Sequence, residues 1–122
     1  MTAFHVLIVE DEALVALMMQ MLVEDEGWTA IGPVGTVAKA IETVNAGIEI
    51  GCALLDLNLR GETSWPVADA LAAKGIPFAF TSGYGASGLE TRFADRPIFP
   101  KPIDENAVRR FLTRMAGAPV QG

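Results

Sequence analysis

The chain has one cysteine, one histidine and one tyrosine among its 122 residues, and each scarcity removes a class of chemistry. Cys52 alone cannot form an internal disulfide, and its place in the apolar run Cys52-Ala53-Leu54-Leu55 marks a buried, inert thiol. A thiol nucleophile needs a base beside it, and His5, the single histidine, reads as a half-exposed strand residue. Basic residues are few: 9 Lys and Arg stand against 15 Asp and Glu, for a net charge of −6. That balance opposes attraction to phosphate backbones, so nucleic acid is excluded as a partner. No apolar run approaches the roughly 18 residues of a membrane helix, and the N-terminus lacks a basic segment followed by a secretory apolar core. No membrane association is expected, and the cytoplasm is the expected compartment.

What remains is an ordinary globular composition, 51% hydrophobic and 20% charged. The length suits one domain and leaves no room for a second folded module, so any output passes through surface contacts. Residues 1–116 are read as that domain and residues 117–122 as a flexible tail. No repeat, low-complexity tract or linker interrupts it.

Several short apolar runs end abruptly in reactive side chains. Cys52 to Leu55 ends in Asp56, His5 to Val9 in Glu10-Asp11-Glu12, Phe78 to Phe80 in Thr81-Ser82, and Pro97 to Pro100 in Lys101-Pro102. Their continuous hydrophobicity fits strands buried on both faces of a parallel sheet. Between them lie helical patterns. Leu14, Leu17, Met18, Met21 and Leu22 recur at helical spacing between Glu12 and Glu26, and Gly27 stops that helix. The methionines Met18, Met19 and Met21 are read as core filling. Trp28 to Ile31 is a short second strand closed by Gly32-Pro33. Thr36 caps a helix whose apolar face is Ala40, Ile41 and Val44, and Ser64 caps a third with Pro66 in its first turn. Asp104 caps the last helix, with Val108, Phe111, Leu112 and Met115 inward and Arg109, Arg110 and Arg114 facing water. The segment Ser82 to Arg96 is rich in Gly and Ala, and is expected to hold a short or poorly formed helix where mobility concentrates.

Five strands alternating with helices imply right-handed crossovers and an α/β fold. The simplest is a three-layer α/β/α sandwich, flavodoxin-like, with a five-stranded parallel sheet in the order 2-1-3-4-5. That order sets strand one beside strand three, so Glu10 and Asp11 share a crevice with Asp56 while Thr81 and Lys101 approach from strands four and five.

Crowded carboxylates repel, at about 1 to 4 kcal/mol for a unit-charge pair 4 Å apart under surface-like dielectric conditions. A divalent cation relieves this, and an all-oxygen donor set favours Mg²⁺, which takes one or two carboxylates and keeps several waters. Asp11 and Asp56 are candidate direct ligands, the backbone carbonyl of Asn58 a third, and Glu10 a ligand through water. The remaining groups suit phosphoryl transfer, with Asp56 as nucleophile and Thr81 and Lys101 on the phosphoryl oxygens. An X-Pro bond such as Lys101-Pro102 adopts the cis form at low cost, which would turn the lysine into the crevice.

This set, the acidic pair Glu10-Asp11, the acceptor Asp56, the hydroxyl of Thr81 and Lys101-Pro102 in that order, resembles the receiver domains of bacterial two-component response regulators. The resemblance runs from His5 to Met115. It implies that Asp56 takes a phosphoryl group from a sensor histidine kinase or a phosphotransfer protein with Mg²⁺ bound, and passes the signal to a downstream protein without a DNA-binding output domain. It also implies that the domain is not an enzyme beyond its own phosphorylation and dephosphorylation. Many receivers carry an aromatic switch residue three positions before the lysine, where this chain has Ile98. Phe80-Thr81-Ser82-Gly83-Tyr84 instead looks like the F-A-T-G-U-Y motif of single-domain receivers, with Thr81 and Tyr84 in register as switch residues. Phe80, Ser82 and Gly83 depart from that motif.

Two rival readings share parts of the pattern. An aspartyl-phosphate phosphohydrolase of haloacid-dehalogenase-like type carries a second aspartate two residues after the nucleophile, where this chain has Asn58. A flavin-binding module would carry a phosphate-cradling loop after strand one, where this chain has acids.

Overall fold

The computed structural model describes residues 4–83 and 88–117. Tyr84 and the tail beyond residue 117 lie outside the described residues. The core strands are β1 (His5–Val9), β2 (Thr29–Val34), β3 (Cys52–Asp56), β4 (Phe78–Ser82) and β5 (Ile98–Pro100). They form one five-stranded sheet in the order β2-β1-β3-β4-β5, with every neighbouring pair parallel. The predicted topology is the observed one.

Residues alternate between the two faces of this sheet, and each face collects its own helices. Leu7, Val9, Leu55, Phe78 and Phe80 pack against α2 (Val37–Val44) and α3 (Trp65–Ala73). Val6, Ile8, Leu54 and Ala79 pack against α1 (Ala13–Asp25) and α4 (Glu105–Gly117). Since each face is covered, the strands are apolar throughout, which is why they read as unbroken runs.

Caps and stops follow the sequence at most ends. The Thr36 hydroxyl accepts from the Lys39 amide at 3.1 Å, and Asp104 Oδ1 accepts from the amides of Asn106 and Ala107 at 3.0 and 3.3 Å. Gly27, at φ +84, supplies the left-handed turn that ends α1. Ser64 occupies the N-cap position of α3 without capping it: its hydroxyl is buried and has no partner among the described residues.

Four further expectations need correction. β2 continues through Gly32 and Pro33 to Val34 instead of stopping before them. Gly32 takes φ +94 at an irregularity in the β1 pairing, and the edge position of β2 tolerates a residue without an amide hydrogen. The face of α1 turned to the core is Ala16, Met19, Leu22 and Val23, whereas Leu14, Leu17 and Met21 are exposed at 82%, 51% and 55%. Of the three grouped methionines only Met19 is core filling. Arg109 does not simply face water: its Nε lies 2.9 Å from Glu26 Oε2, tying α4 to the end of α1.

The expected short or poorly formed helix between residues 82 and 96 is, over the part described, a single 3-10 turn, Thr91–Phe93. Phe93 is buried among Trp65, Phe78 and Phe80. Arg92 reaches Asp69 of α3 through two contacts, Nε to Oδ1 at 3.2 Å and a terminal nitrogen to Oδ2 at 3.0 Å, and also pairs with Glu90.

Candidate phosphoacceptor site

The carboxyl ends of the strands bring the polar groups together. β1 delivers Glu10 and Asp11, β3 ends on Asp56 beside Thr81 of β4, and β5 hands on to Lys101, whose amide donates to the Ser82 carbonyl at 2.8 Å. One carboxylate oxygen from each of Glu10, Asp11 and Asp56 lies within 4.8 Å of the others. Glu10 and Asp56 are buried. Buried like charges this close require a counter-charge or a proton.

Lys101 supplies part of it. Its Nζ donates to Asp56 Oδ2 at 3.0 Å, to Glu10 Oε2 at 3.1 Å and to Glu12 Oε1 at 2.5 Å. The Lys101–Pro102 peptide is cis. Burial alone would lower the Lys101 ammonium, but its bonds to Glu12, Asp56 and Glu10 outweigh that and hold it above its usual value. Glu10 moves the opposite way to most paired acids. Burial, then the charge of Asp56, push its carboxyl up to about 7 against the opposing pull of the Glu12 amide and Lys101. One ammonium thus does not satisfy the cluster.

The loop after β3 completes the rim. Asn58–Leu59 and Glu62–Thr63 form a two-stranded antiparallel hairpin, with Arg60 at φ +52 and Gly61 at φ +84 in its turn. The Asn58 amide donates to Asp56 Oδ1 at 3.1 Å, and the Arg60 amide donates to Asp11 Oδ2 at 3.0 Å. The Asn58 side chain is spent on the turn, accepting from the Gly61 amide at 2.9 Å. These residues enclose a crevice of ≈ 590 Å³ lined by Asp11, Glu12, Asp56, Asn58, Trp65 and Lys101, among others.

Of the predicted site residues, Glu10, Asp11, Asp56 and Lys101 meet directly, and Asn58 borders them. Thr81 is next to Asp56 in register, and its hydroxyl is fully buried with no partner among the described residues. Tyr84 lies outside the described residues. The predicted set lacked Glu12, whose contact with Lys101 had a visible signal in the acid run after β1, and Trp65, which had none.

No family model matches the sequence, and no curated protein matches it. Solved structures do. SdrG from Sphingomonas melonis Fr1 is 43% identical, with 95% of this chain and 99% of that one aligned at a TM-score of 0.82. The receiver domain of the response regulator PhyR from Erythrobacter litoralis is 30% identical over 93% of this chain and 90% of its own, at a TM-score of 0.79. The chain belongs to the response regulator receiver domains.

A receiver is a phosphoacceptor module of two-component signalling. The receiver domain of the sensor histidine kinase PA1611 from Pseudomonas aeruginosa PAO1 shares the fold at 16% identity and a TM-score of 0.75, over 95% of this chain and 99% of that one. That protein has a magnesium ion coordinated in its active site cleft. The donor set of the present receiver fits such an ion: its ligands are all oxygen, Glu10 Oε1 is buried with no partner among the described residues, and the carboxylates outnumber the lysine.

Proposed function

We propose that Asp56 is the phosphoacceptor and that the phosphoryl group comes from a phosphohistidine on a sensor histidine kinase or phosphotransfer protein. The observation that carries this is the convergence of Lys101 Nζ, at 3.0 Å, and the carboxylates of Glu10 and Asp11 on Asp56, one of few buried polar residues. Asp11, Asp56 and the Asn58 carbonyl would hold Mg²⁺ directly, and Glu10 through a water. Bound there, the ion would offset the carboxylate repulsion and draw negative charge from the phosphoryl oxygens.

Asp56 Oδ2 attacks phosphorus in line with the departing imidazole. Lys101 exchanges one of its carboxylate partners for a phosphoryl oxygen, and the buried Thr81 hydroxyl donates to another. Thr81 and Tyr84 are the proposed switch residues through which the occupied site alters the surface read by a downstream protein. The reaction stops at this one acceptor, since the residue two places after Asp56 is Asn58 and its side chain serves the hairpin turn.

The exposed apolar stripe of α1 gives the donor a place to dock. Leu14, Leu17 and Met21 line one groove along α1, whose N-cap Glu12 touches Lys101, so a protein seated on the stripe reaches toward the crevice. Among the described residues no helix is long and apolar enough to cross a membrane, and we place the reaction in the cytoplasm.

Intact mass spectrometry after incubation with Mg²⁺ and acetyl phosphate tests the assignment. Wild type should gain one phosphoryl group and Asp56→Asn none. Equal gain in both would refute it, and steady release of phosphate from p-nitrophenyl phosphate would point to a phosphohydrolase instead.

A further inference from the structure

Trp65 borders the crevice, yet a hydrated Mg²⁺ takes oxygen ligands and a phosphoryl group takes hydrogen-bond donors, and an indole face supplies neither. It opens α3 and shares the crevice wall with Leu57, Asn58 and Thr63, half-buried, with part of its ring left to the opening. The ring is held from two sides. It stacks on Phe93 with centroids 5.6 Å apart at 17°, and meets Phe80 nearly edge-on at 5.9 Å and 81°. Phe80 and Phe93 are themselves buried, so the indole is fixed in one orientation by the core beneath it. A large aromatic surface, rigid and partly exposed, thus stands beside an acidic cluster.

We propose that Trp65 is a specificity-determining residue for the phosphoryl donor, its indole forming the wall on which the planar, cationic ring of a phosphoimidazole rests before it departs. The proposal depends on Asp56 being the acceptor. In the step concerned the P–O bond to Asp56 forms as the P–N bond of a phosphoimidazole breaks. The bonding pair stays on the departing nitrogen, and the proton already on the other ring nitrogen makes the product neutral imidazole. Before departure the ring carries positive charge, which an aromatic face attracts. An acyl phosphate releases a carboxylate, which has no planar cationic ring and gains nothing from that wall.

The test compares two small donors on the same protein sample, monophosphoimidazole and acetyl phosphate, each with Mg²⁺ and with phosphoryl uptake followed by intact mass. The ratio of the two rates is independent of the fraction of protein folded, so lost packing cannot mimic the result. Trp65→Ala and Trp65→Leu should lower the ratio of imidazole to acetyl donor rates by about tenfold, and Trp65→Phe by less than about twofold. A ratio unchanged in Trp65→Ala, or Trp65→Leu retaining the wild-type ratio, would overturn the role of the indole while leaving Asp56 as acceptor. No uptake by wild type from either donor would overturn both.

Discussion

Glu10 is the residue at which site chemistry and stability meet. Its carboxyl is raised from 4.5 to about 7 in the fold, chiefly by burial and then by Asp56. Between those values the folded chain binds a proton that the unfolded chain has released. The associated stability is therefore complete below about 4.5 and is lost as the pH rises through about 7. For the Mg²⁺-free protein, urea unfolding at about pH 5 and about pH 8 should show a fall of about 1 to 2 kcal/mol that Glu10→Gln removes. Identical slopes in the two proteins would exclude Glu10 as the source. Asp56→Asn should bring the Glu10 carboxyl down, because the second cause of its rise is then gone; a carboxyl-carbon NMR titration measures this directly, and an unmoved midpoint would contradict the charge coupling. Lys101→Ala should slow phosphoryl uptake from acetyl phosphate by about 10²-fold, the scale for removing one donor aimed at developing charge. A rate within a factor of about two of wild type would show that Lys101 serves only to pair the resting carboxylates.

At the scale of elements, α1 shows where sequence reading succeeds and where it stops. Gly27 and the apolar periodicity place the helix correctly, but both of its faces are apolar. Leu14, Leu17 and Met21 on one side compete with Ala16, Met19, Leu22 and Val23 on the other, and the bulkier set looks like the core. The sheet decides otherwise: Met19, Leu22 and Val23 join Val6, Ile8 and Leu54 in one buried cluster. The strands were legible for the opposite reason: they are buried on both faces, so no choice of face arises. The site was legible because its groups sit at strand tips, whereas Trp65 reaches the crevice only through the packing of α3 on Phe80 and Phe93. Leu17→Asp tests the exposed stripe. Transfer from an autophosphorylated cognate kinase should fall by about tenfold or more, as for loss of an interface anchor, while uptake from acetyl phosphate stays at the wild-type rate. Unimpaired transfer from the kinase would remove α1 from the docking surface.

For the whole molecule, the decisive feature is the strand order. Placing β1 between β2 and β3 sets the acids of one strand end against the acid of another, and β5 at the far edge returns Lys101 across the same opening. The fold thereby gathers charges that local sequence would never hold together, at a cost that Lys101 only partly offsets. Mg²⁺ should therefore raise the unfolding temperature of wild type, and do so less in Asp11→Asn. The gathering serves, we propose, to load Asp56. Borohydride reduces an aspartyl phosphate to homoserine, so protein treated with Mg²⁺ and acetyl phosphate, then reduced and digested, reports its own acceptor by peptide mass. Homoserine is expected at position 56 and at no other aspartate; homoserine at position 11, 5-hydroxynorvaline at position 10 or 12, or no reduced residue at all, would contradict this.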